Sequence, residues 1–145
     1  MIYIDTSVLG AIFFREPGAA ELVTRLESQH KSRLMISAWT LTEMASIGGI
    51  KQRTGAIDAE TRQQALANFQ RFASTQLGTV EIEPADFRTA AVLMESPSPL
   101  RPGDALHLAV ARRLGAGFAS IDRRLCAATD ALGLARFDLV REKRG

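Results

Sequence analysis

Four acidic residues stand where carboxylates could do chemistry: Asp5, Glu43, Asp104 and Asp122. Asp5 follows Ile2-Tyr3-Ile4, a short apolar run that reads as a buried strand ending in the turn formers Asp-Thr-Ser. Asp122 follows Phe118-Ala119-Ser120-Ile121, a second run of the same kind. Both acids are therefore expected at the carboxyl ends of strands, beside apolar surroundings. A lone carboxylate placed there loses hydration, so it needs a cation or strong donors. Clustered carboxylates suit a divalent metal, and an all-oxygen ligand set favours Mg²⁺ or Mn²⁺. Taken singly, each acid also has a plain structural explanation. Asp5 could close an Asx-type turn, and Asp122 could cap the helix that follows it. Asp104 sits in the first turn of a helix, where the dipole favours an acid. Glu43 lies inside a helix, between Leu41 and Met44-Ala45, which leaves it on or near an apolar face.

The neighbours of these acids extend the pattern. Thr6 and Ser7 place hydroxyls next to Asp5, and Ser120 places one near Asp122, where they could orient carboxylates or a bound water. Arg101, Arg123 and Arg124 flank the acids and are candidates for phosphate contacts, with Arg15 a weaker one. His107 follows Asp104 by one helical turn and reads as a residue packed beside the site. His30 sits in a polar loop and takes no role. Trp39 and the phenylalanines are too scattered for a stacking platform and read as core or interface. Cys126 reads as a small buried residue.

The acids can meet only if their elements form layers. The expected order is a strand at Ile2–Ile4, then helices at Val8–Phe14 and Ala19–Ser28, separated by Pro17-Gly18. A second strand, Leu34–Ile36, leads into a helix at Ser37–Arg53, with Leu41, Met44, Ala45, Ile47 and Ile50 inward. Gly48-Gly49 weakens the middle of that helix, where a bend could form. Asp58 caps a helix at Ala59–Thr75 with an apolar stripe of Ala65, Leu66, Phe69 and Phe72. A third strand at Thr79–Ile82 precedes a helix at Ala85–Glu95, opened by Pro84. After the loop Ser96–Pro99, a helix starts at Pro102-Gly103-Asp104 and runs to Leu114. A fourth strand at Phe118–Ile121, a helix at Arg123–Leu132 and a fifth strand over 136–140 complete the order. Alternating strands and helices predict a parallel sheet covered on both faces. Ligands of such sheets bind beyond the carboxyl ends of the strands, where Asp5 and Asp122 stand.

Composition sets outer bounds. The chain has 145 residues, enough for one domain with a sizeable core, and 46% of them are hydrophobic against 23% charged. One domain is expected over 1–140, with 141–145 a basic tail that frays. No apolar run reaches the roughly 20 residues of a membrane helix, and no leader-like segment is read at the start. The single cysteine excludes an internal disulfide and a cysteine-based zinc site, in keeping with a reducing cytoplasm. A net charge of +2 is too small to argue for nucleic acid by itself. The positive charge is mostly arginine, which forks onto phosphate.

Ile2-Tyr3-Ile4-Asp5-Thr6-Ser7-Val8-Leu9 resembles the opening motif of the PIN-domain nucleases, and Thr42-Glu43-Met44 their second acidic station. Asp104 to Ala111 resembles the third and Ser120 to Leu125 the fourth. The chain is similar, more narrowly, to the VapC-type toxins of bacterial toxin–antitoxin pairs. Ile121 stands where an aromatic is common, and Gly48-Gly49 is an unusual pair in its helix. The resemblance implies a three-layer α/β/α sandwich with a central, mostly parallel sheet of four to five strands. It implies endonucleolytic hydrolysis of RNA with Mg²⁺ or Mn²⁺. Asp5, Asp104 and Asp122 would hold the metal, and Glu43 would serve as general base or second-ion ligand. It also implies a homodimer and an antitoxin that blocks the site. Other readings fit less well. A phosphatase using Asp5 as nucleophile needs a second Asp two residues on, where Ser7 stands. A dinucleotide-binding oxidoreductase lacks G-x-G-x-x-G after the first strand. A binding module without turnover would not need all four acids.

Overall fold

The computed structural model describes residues 1–139 of the chain. Strands β1 (Ile2–Ile4), β2 (Leu34–Ser37), β3 (Gly78–Val80) and β4 (Gly117–Ala119) form one sheet in the order β3-β2-β1-β4, with every pairing parallel. Between and after them run α1 (Thr6–Phe13), α2 (Ala19–Glu27), α3 (Ala38–Arg53), α4 (Ala59–Gln76), α5 (Pro84–Leu93), α6 (Pro102–Leu114) and α7 (Arg123–Ala131). Successive strand residues point to opposite faces, and the core divides accordingly. Ile2, Ile4, Ile36 and Ala119 join Val8, Leu9, Met44 and Phe69 on one face. Tyr3, Met35 and Phe118 join Leu106, Leu108, Val110 and Leu125 on the other. Helices cover both faces, so the strands are buried on each side and read in sequence as continuous apolar runs. This is the expected α/β/α sandwich.

The strand order places the site. From β1 the chain steps out to β2 and β3 on one side, then crosses to β4 on the other. The switch therefore falls between β1 and β4, whose carboxyl ends open the crevice where ligands of parallel sheets bind. Ile4 pairs with Ala119, and the Asp5 N–H donates to the Ala119 carbonyl at 2.8 Å. Asp5 and Ser120 thus leave the sheet side by side.

Several elements differ from expectation. The helix expected from Val8 begins at Thr6, which makes Thr6 and Ser7 first-turn residues. The third strand lies over Gly78–Val80 rather than Thr79–Ile82, and the fourth over Gly117–Ala119 rather than Phe118–Ile121, so Asp122 does not directly follow a strand. The fifth strand reduces to a single parallel bridge between Phe118 and Arg136, and residue 140 and the basic tail lie outside the described residues. α3 runs unbroken through its glycine pair, but its buried positions are Thr40, Met44 and Gly48. Leu41 and Ile50 are 43% and 50% exposed, and Ala45 is exposed too. The inward face of α3 is set by close packing on α4, not by its largest apolar residues. A Cβ at Gly48 would sit 3.1 Å from Arg62 Cγ.

A second buried charge lies away from the sheet crevice. Asp86, 2% exposed, accepts from Arg113 Nε at 2.9 Å and Nη2 at 3.0 Å, tying α5 to α6. Burial pushes its pKa up, but the Arg113 hydrogen bonds, the Glu83 N–H and the guanidinium charge outweigh this and hold it below the usual carboxylate value. Among the described residues, no helix is long and apolar enough to cross a membrane.

Candidate active site

Asp5 occupies the N-cap position of α1, yet its side chain makes no capping bond. It is 4% exposed, and its Oδ2 accepts from Ser7 Oγ at 2.6 Å and Ser120 Oγ at 2.8 Å. The early start of α1 is what turns Ser7 back onto Asp5. Ser120 serves Asp5 rather than the carboxylate of Asp122, which it meets only through the Asp122 N–H at 3.0 Å. Asp122 caps α7, its Oδ1 accepting from the N–H groups of Arg124 and Leu125 at 3.0 and 3.2 Å. Its structural explanation is thus realised, with one oxygen committed to the helix.

Glu43 projects from the middle of α3 and is half-buried. Its Oε1 accepts from Thr6 Oγ1 at 2.8 Å and from His107 Nε2. Burial alone raises its pKa, but the His107 bond and charge and the Thr6 hydroxyl outweigh burial and bring it below the usual value. Glu43 is therefore ionised at neutral pH. Gly103, in the first turn of α6, packs closely on α3: a Cβ there would stand 3.2 Å from Trp39 Nε1 and 3.4 Å from Glu43 Oε2.

Asp104 has the opposite electrostatics. Burial first, and then the charges of Asp5, Glu43 and Asp122, push its carboxyl up to about 6, against only one favourable charge, His107. The other three acids are thus close enough to act on Asp104. Among the described residues, no Lys or Arg forms an ion pair with any of them. A crevice lined by carboxylate oxygens with unbalanced negative charge fits a hard divalent cation. Among the described residues, no group of three or more His, Cys, Asp or Glu side chains stands as a ready metal cage.

The family model for the PIN domain matches residues 2–131, a span that begins at β1 and contains all four acids. The chain belongs to the PIN domain family. Solved structures carry the same fold. One is VapC20 of Mycobacterium tuberculosis, described as a sarcin–ricin loop cleaving toxin, with a TM-score of 0.69 and 20% identity over 98% of this chain and 100% of that one. Another is VapBC2 from Rickettsia felis bound to a promoter DNA fragment, with a TM-score of 0.68 and 14% identity over 94% and 98%. A third is FitAcB from Neisseria gonorrhoeae, with a TM-score of 0.68 and 16% identity over 96% and 98%. No curated protein sequence matches the chain significantly.

In this PIN domain the flanking arginines stand at helix starts. Arg101 caps α6 and Arg123 opens α7, with Arg124 beside it. All three are exposed, and none is paired with a described carboxylate. Arg15 is exposed at the end of α1 remote from Asp5, in a left-handed backbone conformation with φ of 53°. The residue that sequence reading undervalued is His107. It is fully buried and touches Glu43, Thr6 and Tyr3. Its position four residues after Gly103 and three after Asp104, on a helix whose next residues are all buried, is the signal that could have raised its rank.

Proposed function

We propose that this chain is a divalent-metal-dependent endoribonuclease, the toxin of a toxin–antitoxin pair. The observation that carries the reading is that Asp5, Glu43 and Asp122 all act on Asp104 beside the sheet's switch point, where burial and then their charge push its carboxyl up to about 6 against the single favourable charge of His107. Asp5, Asp104 and Asp122 would hold Mg²⁺ or Mn²⁺. A bound ion would polarise a water for attack and offset charge on the phosphate.

The chain's own residues supply the rest. Ser7 and Ser120 fix one oxygen of Asp5, so its other oxygen has a set direction. Thr6 and His107 both bind Oε1 of Glu43, which leaves Oε2, on the Gly103 side, to take a proton from the attacking water or to meet a second ion. Arg101, Arg123 and Arg124 stand where they could fix RNA phosphates without neutralising the acids. The toxin reading is supported by the family and by the toxins and toxin–antitoxin complexes that share the fold. An antitoxin, a homodimer and a cytoplasmic setting belong to the same reading.

The test is direct. Purified protein should cut RNA with Mg²⁺ or Mn²⁺ and stop on adding EDTA. Asp5→Asn should abolish cutting while the unfolding curve stays that of a folded protein. Undiminished cutting by folded Asp5→Asn would overturn the assignment.

A further inference from the structure

Behind Glu43, the core holds four polar side chains with no exposed surface: Tyr3, Ser37, Thr40 and His107. Burying polar groups is unfavourable unless each is bonded, and apolar residues of similar size would fill the same space without that constraint. These groups form a chain with a direction. Thr40 Oγ1 accepts from the Ser37 N–H at 3.3 Å, Tyr3 Oη donates to Ser37 Oγ at 2.8 Å, and Tyr3 Oη lies 2.6 Å from His107 Nδ1. The far ring nitrogen, Nε2, meets Glu43 Oε1 and lies 3.2 Å from Thr6 Oγ1. The chain thus starts in the core on β2 and α3, crosses β1 and α6, and ends only at the crevice.

Hydrogen-bond chemistry fixes the proton. Tyr3 gives its one hydroxyl proton to Ser37 Oγ, so its oxygen can only accept from Nδ1–H. An ionised carboxylate only accepts, and Thr6 already spends its proton on Glu43. Nε2 must therefore carry a hydrogen. We propose that His107 is a positioning residue for Glu43, its Nε2–H pinning Oε1 while Tyr3 fixes the ring through Nδ1. His107 does not touch the reacting phosphate. It sets where Oε2 points. This rests on the reading of Glu43 as part of a metal-dependent nuclease site, and its test separates the two.

The first measurement needs no activity. A long-range ¹⁵N–¹H correlation of the imidazole in the metal-free protein should show Nε2 protonated, and Glu43→Gln should shift that nitrogen. A bare Nε2 overturns the proposal. The second uses RNA cleavage. His107→Leu and Tyr3→Phe should lower kcat, the former about 10–100-fold, the range seen when a group orienting a site carboxylate is lost, with KM unchanged. His107→Gln, whose amide reaches the Nε2 position, should restore most of the loss, whereas His107→Asn, which reaches only the Nδ1 position, should not. If His107→Leu does not fold, the Gln and Asn pair decides. Equal activity of those two, or full activity of folded His107→Leu, overturns the proposal. If the parent cuts no RNA, the nuclease reading fails while the imidazole measurement still decides for or against His107.

Discussion

Replacing Asp104 by Asn should make the metal-free protein more stable while destroying the site. Moving this carboxyl from 3.8 to about 6 corresponds to about 3 kcal/mol at about 1.4 kcal/mol per unit of pKa. The side chain is partly open to water, which screens the repulsion and reduces the expected gain to about 1–2 kcal/mol. Asp104 also lies in the first turn of α6, and the helix-dipole attraction lost with its charge is about 0.5 kcal/mol, too small to reverse the sign. The net gain corresponds to a rise of about 2–5 °C in Tm for a domain of this size. The pH dependence has a definite sign. A carboxyl whose folded-state pKa is raised binds its proton more tightly in the native state, so stability falls as pH rises from 3.8 through about 6. The parent should therefore lose stability over that window in EDTA, and Asp104→Asn should lose less. Denaturant unfolding of both proteins at pH 5 and pH 7.5 in EDTA reads the difference. A variant less stable than the parent at pH 7.5, or a gap that does not widen with pH, would refute the electrostatic account.

Two further outcomes test the packing around the site. Arg113→Met leaves the Asp86 carboxylate buried with only the Glu83 N–H at 2.8 Å, and should lower stability at pH 7 by about 3 kcal/mol. Because the paired Asp86 has a lowered pKa, its contribution is present above about pH 4 and fades as pH falls through the folded value, so urea curves of parent and variant should converge in acid. Gly103→Ala places a methyl 3.2 Å from Trp39 Nε1 and 3.4 Å from Glu43 Oε2, and should reduce RNA cleavage at a stability cost of about 1 kcal/mol or less. Full activity would show that α3 and α6 yield at this contact.

Much of this arrangement was legible in the chain because parallel strands buried on both faces leave continuous apolar runs, and a residue just past such a run must lie at one edge of the sheet. That logic placed Asp5 directly after β1, whereas β4 ends at Ala119, so Ser120 leaves the sheet there and Asp122 stands three residues on as the N-cap of α7. It failed where packing rather than residue type chose the inward face, as on α3. There Gly48 is buried against Arg62, while Leu41 and Ile50 stay in solvent. It also failed for one hydroxyl. Thr6 and Ser7 bind carboxylates, but Ser120 serves Asp5 rather than the carboxylate of Asp122.

By itself the sequence determined the alternation of strands and helices, the stations of the four acids and the resemblance of their motifs to PIN-domain nucleases. These are local properties, written in hydrophobic period and in the residues that follow each strand. Only the tertiary structure decided that β1 and β4 are neighbours, that the Asp104 carboxyl is pushed up to about 6 while that of Glu43 is lowered, and that His107 reaches Glu43 from within the core. Two carboxyls of the same chemistry are shifted in opposite directions because their burial and neighbouring charges are set by residues far away in the chain. Glu43 meets a donor 64 positions distant on α6, whereas Asp104 meets acids from three other elements.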